Sequence, residues 1–341
     1  MASQEVAIAR GEWIDPALSR MTVGNWIENW IQLQVQLKPT TRVRYDVAIR
    51  RQILPVWESV PLANVTHSEV SSWVLGLSAT LAPATVRYAF RVFSLALSAA
   101  VKDGRMVRNV AEGVPLPRIV SRPKRFLTHD EVGRLAAACE PYGTLIRVLA
   151  YAGLRWGELA ALRVKRVDLA RRRLEVVEAV TEVNGRVVFG TTKTHQRRSV
   201  PIPRFLADEL ATAISGKGPE DLVFVSPGGE VLRNTNFRPR FFDRAADKAG
   251  LPGLTPHELR HTAASLAVAA GANVKAVQQM LGHASAAMTL DVYAGLFGDD
   301  LDGVAERLDE AVVRRNADSM RTVGDQAAVQ STVGGAKYVA D

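Results

Sequence analysis

Cysteine and long apolar runs are both scarce in this sequence of 341 residues. The single cysteine, Cys139, lies in an apolar helical stretch, so a disulfide framework is excluded and a reducing compartment fits the composition. We see no apolar run near the roughly 20 residues that span a bilayer, and residues 1–20 contain no apolar core of a signal peptide. We therefore expect a soluble cytoplasmic protein with no membrane partner.

Acidic residues are outnumbered by basic ones, 35 against 43, which gives a net charge of +8. A basic balance favours a polyanionic partner, because each neutralised phosphate releases counterions. The alternative is that the charge only keeps the protein in solution. The hydrophobic fraction of 47% is that of a globular protein, and the length suffices for two domains with separate cores.

Residues 22–113 show helical periodicity and no strand pattern. Thr22 and Thr66 have the positions of helix caps, Glu69 completes a capping box, and Pro83 suits a first helical turn. The second helix of this region is rich in arginine. Its arginines are Arg42, Arg44, Arg50 and Arg51. We predict an all-α module in which they contact the DNA backbone; the alternative is a solvated helix face.

Residues 114–125 interrupt the helical pattern with three prolines, which favour extended backbone. The segment is also basic, and its charged residues include Arg118, Arg122, Lys124 and Arg125. We predict a DNA-contacting linker between the first module and a second domain over 126–315. Residues 1–21 are then an N-terminal extension and 316–341 a mobile tail.

The second domain begins with two helices, over 128–139 and 142–163, with a break at Gly153. The periodicity then changes to two, which predicts strands at 173–180, 186–189 and 198–202, with Asn184-Gly185 as a hairpin turn. Helical patterns resume at 203–214, 236–249, 257–270, 273–281, 286–295 and 301–315. The fold class expected is mainly α with a small antiparallel β-sheet.

The segment from His257 to His261 has the sequence HELRH, which matches the HExxH pattern of zinc metalloproteases. The two histidines share a helix face, as such a site requires. A third ligand is missing, because no histidine follows at the usual distance and the first glutamate after Glu258 is Glu306. Arg260 also places a fixed cation beside the supposed metal. We therefore disfavour the zinc interpretation and expect no metal.

The same segment suits phosphate chemistry. His257 and Arg260 lie one helical turn apart, and arginine binds phosphate oxygens through two parallel N–H groups. A second arginine, Arg155, follows the helix break at Gly153, and Glu158 lies one turn later, where it would orient the guanidinium. Two such groups would neutralise the extra charge of a pentacoordinate phosphorane.

Five motifs in order carry a resemblance to a known family: AGLRWGEL, TTKT before a strand, HELRH, LGH and then Tyr293. Over about 126–297 the chain resembles the tyrosine recombinases of the phage integrase family, and the all-α module resembles that family's core-binding domain. The resemblance implies an α+β catalytic domain without cofactor. The catalytic residues it implies are Arg155, Lys193, His257, Arg260, His283 and Tyr293. Glu158 and His261 are expected to support them.

The resemblance implies covalent strand transfer. Tyr293 would attack the scissile phosphate and form a 3′-phosphotyrosyl bond, while Lys193 protonates the 5′-oxygen that leaves. His257 would accept the tyrosine proton, and His283 would bind a non-bridging oxygen. Because the covalent bond conserves the phosphodiester energy, rejoining needs neither ATP nor metal. Each residue alone has a simpler interpretation, such as a packed tyrosine or a turn lysine.

The resemblance also implies partners: double-stranded DNA with attachment-type sites, a homotetramer that passes through a Holliday junction, and a directionality factor or a DNA-bending host protein as an accessory. Integration or excision of a viral genome or prophage is the implied function. About 20 residues precede the first helix, too few for an arm-binding domain, so we expect a simplified or truncated integrase. The alternatives are a resolvase, a conjugative-element transposase or a non-catalytic DNA-binding protein.

Overall fold

The protein is represented by a computed structural model. It describes residues 20–120, 124–191, 197–293, 308–310 and 312–313. The buried apolar side chains form two clusters, one drawn from residues 23–114 and the other from residues 127–293. The predicted N-terminal extension, the C-terminal tail and most of the helix predicted at 301–315 lie outside the described residues. Lys193 and Arg122 also lie outside them.

Among the described residues of the first module, the regular elements are helices. Its helices are α1 (Val23–Gln32), α2 (Pro39–Ala48), α3 (Leu54–Trp57), α4 (His67–Ser78) and α5 (Pro83–Lys102). A π-helical turn, Ile49–Ile53, joins α2 to α3 without a break. The predicted caps are present: the Thr22 side chain accepts the amide of Asn25, and Thr66 forms a capping box with Glu69.

Helix α5 is long and apolar enough to cross a bilayer by length and composition, contrary to the expectation that no apolar run comes near that length. Its apolar face forms the centre of the first cluster instead. The buried residues on this face are Val86, Ala89, Val92, Phe93, Ala96, Leu97 and Ala100. The indole of Trp26 also donates to its Ala96 carbonyl at 2.7 Å. Since Arg87 and Arg91 occupy the exposed face, α5 is the core helix of this module.

The second module mixes helices and short strands. Its elements are α6 (His129–Ala138), α7 (Gly143–Ala152), α8 (Trp156–Ala160), β1 (Val167–Asp168), β2 (Arg173–Val176), β3 (Glu178–Val183), β4 (Arg186–Thr191), β5 (Arg198–Pro201), α9 (Arg204–Ile214), α10 (Asn234–Phe237), α11 (Asp243–Lys248), α12 (Pro256–Ala269), α13 (Val274–Leu281) and α14 (Ala286–Tyr293). A π-helical turn links α10 to α11. The predicted fold class, mainly α with antiparallel strands, is confirmed.

The strand prediction was wrong in one respect. The continuous strand expected over 173–180 is divided between two sheets, because β2 pairs with β5 and β1 whereas β3 pairs with β4. The adjacent Val176 and Val177 break the alternation at the point where the chain changes sheets. Leu174 and Val176 of β2 are buried in the core, whereas the residues of β3 are mostly partly exposed. The hairpin turn was correct: Asn184 and Gly185 have φ of 50° and 74°.

Gly153 ends α7 with φ of +63°, so the helix predicted over 142–163 is two helices, α7 and α8. The backbone of Gly153 lies close to other elements. A Cβ atom at this position would lie 2.7 Å from Leu281 Cδ2 in α13 and 3.1 Å from Ala263 Cβ in α12. Only glycine suits both the backbone angle and this close approach, which places the start of α8 beside α12 and α13.

We expect Gly153→Ala to lower the free energy of unfolding by about 1–3 kcal/mol, since it adds both backbone strain and a steric clash. The matched control is Gly133→Ala within α6, where a Cβ would meet nothing within 4 Å. This control should raise stability by about 0.5–1 kcal/mol. Urea unfolding followed by circular dichroism measures both changes. Equal effects of the two variants would contradict the assignment.

Candidate active site

Most of the predicted catalytic residues converge at the ends of four elements. Arg155 immediately precedes α8, Arg260 lies in the second turn of α12, His283 follows α13, and Tyr293 is the last residue of α14. His257 and His261 also lie on α12, His257 one turn before Arg260 and His261 immediately after it. The structure therefore brings together five of the six predicted residues, while the sixth, Lys193, lies in the interval between β4 and β5 that it does not describe.

The C-terminal end of α13 is the centre of this convergence. Gly282 has φ of +65°, and its amide donates to the Gln279 carbonyl at 3.2 Å. The amide of His283 donates to the Gln278 carbonyl at 3.1 Å. These two bonds form a Schellman turn, which satisfies the carbonyls of residues 278 and 279 but not those of residues 280–282.

The next three carbonyls each accept a hydrogen bond from a different arginine. The pairs are Arg198 Nε to Met280 at 3.0 Å, Arg260 Nη2 to Leu281 at 2.5 Å, and Arg155 Nη2 to Gly282 at 3.2 Å. Cations are favoured at the C-terminal end of a helix, where the helix dipole is negative. The end of α13 therefore fixes two predicted catalytic guanidinium groups and a third that was not predicted.

A buried carboxylate, Glu158, joins two of these arginines. It accepts from Arg198 Nη1 at 2.9 Å and Nη2 at 2.6 Å, and from Arg155 Nη1 at 2.9 Å. Burial alone would raise the pKa of Glu158, but the Arg198 hydrogen bonds and the charges of both arginines outweigh it and leave the pKa below its usual value. Glu158 is therefore ionised, and it orients Arg155 as the sequence suggested.

Arg260 is almost fully buried, and its second anchor is the Gly153 carbonyl, 2.5 Å from Nη1. Burial, together with the charge of Arg155, lowers the pKa of Arg260 to about 9. It remains charged at neutral pH. A guanidinium has five N–H donors, so two bonds to carbonyls leave others for a phosphate.

Tyr293 is 2% exposed, and its hydroxyl lies 2.8 Å from Nδ1 of His261. Burial raises the pKa of Tyr293 to about 12, with the charge of Arg260 acting against it. Burial, followed by the nearby His257 and Lys124, lowers the pKa of His261 to about 4. His261 is therefore neutral at pH 7, the phenol is protonated, and the two groups share one hydrogen bond between Nδ1 and the hydroxyl.

The other two histidines flank this pair. The ring of His257 lies edge to face with His261 at 5.1 Å between centroids, on the exposed side of α12. His257 is the expected acceptor of the tyrosine proton, but the hydroxyl's partner in the free protein is His261. His283 stacks on the Tyr293 ring at 6.3 Å, and its Nδ1 lies 2.9 Å from Thr289 Oγ1. Burial and the charge of Arg260 lower the pKa of His283 to about 4.

The predicted DNA-contacting arginines of α2 and the turn after it differ in their surroundings. Arg42 donates to the Ile31 carbonyl at 2.6 Å and lies 3.4 Å from Asp46, so it is partly engaged within the module. The Arg44 guanidinium lies 4.4 Å from the centre of the Tyr88 ring. Arg50 and Arg51 are exposed. Three of the four, Arg44, Arg50 and Arg51, therefore keep exposed side chains.

The linker contains one unexpected contact. Lys124 was predicted to contact DNA, but its Nζ donates to the Val292 carbonyl at 3.0 Å and lies 6.0 Å from the centre of the Tyr293 ring. Arg118 is exposed, and Arg125 lies 4.0 Å from Glu131. The linker lysine therefore lies beside the tyrosine in the free protein. No sequence pattern connects residues 168 positions apart.

Sequence reasoning missed Arg198, although a signal was present. Arg198 and Val200 lie two residues apart in β5, so their side chains project from the same face of the strand. Val200 is completely buried, which makes Arg198 a charged residue on the buried face. A charge in such a position requires a partner, and Glu158 provides it. The sequence signal for Arg198 was therefore an arginine that shares the buried face of a short strand with a valine.

Among the described residues, no three histidine, cysteine, aspartate or glutamate side chains gather in the manner of a metal site. His257 and His261 share one side of α12, but Nδ1 of His261 is directed at the Tyr293 hydroxyl. Of the two histidines in the HExxH pattern, His261 thus contacts a tyrosine hydroxyl.

Comparison with known proteins decides the family. The model of the phage integrase family matches residues 125–297, about half of the chain, and its N-terminal SAM-like domain matches residues 22–78. The chain belongs to the phage integrase family. It is a tyrosine site-specific recombinase, an enzyme that cleaves and rejoins DNA strands, as the sequence resemblance implied.

Curated relatives match most of the chain. The integrase of Mycobacterium phage D29 is 29% identical over 329 residues, covering 91% of this chain and 86% of its own. A putative prophage phiRv2 integrase of Mycobacterium tuberculosis is 28% identical over 277 residues, covering 78% of this chain and 72% of its own. The XerA tyrosine recombinase of Thermococcus kodakarensis is 31% identical over 186 residues, covering 52% and 61%.

Solved structures agree on the fold. The Tn1549 transposon integrase in complex with a circular intermediate DNA gives a TM-score of 0.74 at 23% identity, covering 84% of this chain and 99% of that one. A lambda integrase dimer bound to a core site gives a TM-score of 0.62 at 21% identity, covering 79% and 97%. Both modules of the integrase therefore have the architecture of known DNA-bound relatives.

Imidazole titration by NMR should show His261 and His283 neutral down to about pH 5, because burial lowers both pKa values to about 4. In the unfolded chain they titrate near 6.5, so the unfolded state binds more protons between these values. Stability should therefore fall as the pH drops from about 6.5 to 4. His261→Gln and His283→Gln assign the signals. Midpoints near 6.5 in the folded protein would contradict the burial.

Proposed function

We propose that this protein integrates or excises a phage or prophage element by cleaving double-stranded DNA at attachment-type sites, with Tyr293 as the nucleophile. The observation that carries the proposal is the position of Tyr293. Its hydroxyl is held by His261, its ring stacks on His283, and Arg260 is close enough to act on its pKa. A phenol, two imidazoles and a guanidinium in one cluster are the groups that metal-free phosphodiester cleavage uses.

Arg155 and Arg260 would bind the non-bridging oxygens of the scissile phosphate. Arg155 is already oriented by the Gly282 carbonyl and by Glu158, and Arg260 by two carbonyls, so little reorganisation is needed when negative charge develops. His283 would add a hydrogen bond to the same phosphate through Nε2, since its Nδ1 faces Thr289. These contacts would stabilise the pentacoordinate phosphorane more than the ground state.

The covalent step exchanges one phosphodiester bond for another. The Tyr293 oxygen bonds to phosphorus, the bond from phosphorus to the 5′-oxygen breaks, and Lys193 supplies the proton to that oxygen. The tyrosine proton passes to the pair formed by His257 and His261. In the second step a 5′-hydroxyl from the partner DNA displaces the tyrosine, so that two strand exchanges pass through a Holliday junction.

The acid–base balance of the free site explains why cleavage would wait for DNA. With a pKa of about 12, roughly one tyrosine in 10⁵ is ionised at pH 7. His261, with a pKa of about 4, is a poor base in the free protein. A phosphate that enters beside it would raise its pKa, because an anion favours the imidazolium. Binding of the DNA phosphate would then make His261 a stronger base and, at the same time, offset the positive charge of the arginines.

The proposal includes partners and location. Residues 22–113 and 126–315 would act as a DNA-binding domain and a catalytic domain joined by the linker 114–125, enclosing DNA between them. Arg44, Arg50, Arg51 and Arg118, which are exposed, would contact the DNA backbone. The active assembly would be a homotetramer in the bacterial cytoplasm; the solved lambda integrase tetramer bound to a Holliday junction supports this. A directionality factor or DNA-bending protein would assist.

The second candidate is a transposase or resolvase with the same chemistry. It is supported by the similarity to the Tn1549 transposon integrase. The two functions differ in the DNA that is joined, since a phage integrase combines an element site with a chromosomal site. Sequencing of products formed from paired sites separates them.

Tyr293→Phe should abolish the covalent protein–DNA adduct on a nicked duplex that carries the recombination site, because the nick releases the leaving strand and prevents rejoining. Denaturing gel electrophoresis of labelled DNA measures the adduct. The wild type should form the same adduct in the presence of a chelator, since no step uses a metal.

Tyr151→Phe is the matched control, because its hydroxyl also lies 2.9 Å from a histidine Nδ1, that of His129, in the same module. It should leave the adduct unchanged. An adduct that persists in Tyr293→Phe, or that is lost on chelation, would refute the assignment.

A further inference from the structure

Arg198 does not belong to the set of residues implied by the family resemblance. We propose that it is a positioning residue for strand cleavage, which fixes Glu158 and the end of α13 so that Arg155 and His283 meet the phosphate together. The inference rests on the proposed function, because it concerns the same cluster. It assigns Arg198 no contact with DNA.

Arg198 contacts a carboxylate, a backbone carbonyl and a glycine. Its Nη1 and Nη2 donate to the two oxygens of Glu158 at 2.9 and 2.6 Å, and its Nε donates to the Met280 carbonyl at 3.0 Å. The side chain is 8% exposed. It also lies flat against Gly282, where an added Cβ would be 2.9 Å from Arg198 Cδ and 3.1 Å from Nε. Arg198 is therefore enclosed between a carboxylate and a helix end.

The position of Arg155 depends on these contacts. Glu158 Oε1 accepts from both Arg198 Nη1 and Arg155 Nη1, so the guanidinium of one arginine sets the carboxylate that orients the other. Arg155 also donates to the Gly282 carbonyl, one residue after Leu281 at the end of α13. Movement of Arg198 would therefore displace Arg155 in two ways. It would move Glu158, and it would move the end of α13 with the Gly282 carbonyl that Arg155 binds.

The exposed fraction of the side chain differs between Arg155 and Arg198 and indicates a different role for each. The Arg155 side chain is 25% exposed, which leaves an open edge for a phosphate, whereas that of Arg198 is 8% exposed and enclosed. Loss of Arg198 should therefore slow the chemical step and leave DNA affinity nearly unchanged. A residue that contacts DNA would change both quantities.

Lysine is not a substitute at this position. Arg198 bonds three acceptors in one plane, and a lysine ammonium has neither the planar fork nor the reach to hold both carboxylate oxygens and a carbonyl. Arg198→Lys retains the charge near Glu158 but loses this geometry. It thus tests positioning separately from charge.

The test measures single-turnover adduct formation on the nicked duplex, and DNA affinity by gel shift, below the melting temperature of each variant. Arg198→Lys should slow adduct formation by about 10- to 100-fold, the scale of a misplacement near 1 Å, with the Kd changed less than about twofold. Arg147→Lys is the control, since Arg147 pairs with Glu209 at 3.2 Å in the same module. It should leave the rate and Kd unchanged.

Two further variants keep the test sharp. Gly282→Ala would press on the Arg198 side chain and should slow the same step, so it replaces Arg198→Lys if that protein does not fold. In the double variant Glu158→Gln/Arg198→Lys, the loss should not exceed that of the worse single variant by more than about twofold, because both act through one contact.

A wild-type rate in Arg198→Lys, or a Kd that weakens in step with the rate, would overturn the role of Arg198 but leave the nucleophile assignment intact. A multiplicative loss in the double variant would also overturn it. Absence of any adduct with the wild type would instead overturn the proposed function itself.

Discussion

The active site depends on three carbonyl groups that the Schellman turn at the end of α13 leaves without helical partners. Arg155, Arg198 and Arg260 satisfy them in turn, although the arginines come from three separate parts of the chain. Unpaired carbonyls at a buried helix end are costly, and guanidinium groups are costly to bury without acceptors. Each guanidinium group therefore satisfies a carbonyl group that in turn stabilises its buried charge. These hydrogen bonds fix the positions of α8, β5 and α12 relative to α13.

Three guanidinium groups around one helix end repel one another, and a single carboxylate, that of Glu158, offsets part of the repulsion. The lowered pKa of Arg260 has two causes in this arrangement, burial first and the charge of Arg155 next. A site with more buried positive than negative charge favours an anion. In the proposed reaction the scissile phosphate, and still more the phosphorane, would supply the missing negative charge at groups already in place.

The sequence predicted those features that depend on local geometry. Helical spacing placed His257 and Arg260 on α12 within one turn of each other, Gly153 ended α7, and Asn184-Gly185 made the hairpin turn. The fold class and the family followed from periodicity and ordered motifs. Local backbone preferences and the spacing of residues along the chain are enough to predict these features.

What the sequence did not predict depends on contacts between distant elements. Helical spacing does not decide which of two histidines at i and i+4 meets a phenol from another helix, and the partner of Tyr293 in the free protein is His261. The contact of Lys124 with the Val292 carbonyl and that of Arg198 with Met280 join residues 168 and 82 positions apart. The change of sheet at Val177 is likewise set by the partner strand β5.

The most direct test of the central claim is an NMR spectrum of the arginine side chains in the free protein, assigned by replacing Arg155, Arg198 and Arg260 singly with lysine. We expect separate guanidinium N–H signals, with hindered rotation and slow exchange with water, for Arg198 and Arg260, and protection of the bonded Nη of Arg155. Averaged signals in fast exchange for all three, like those of an exposed arginine such as Arg50, would contradict it.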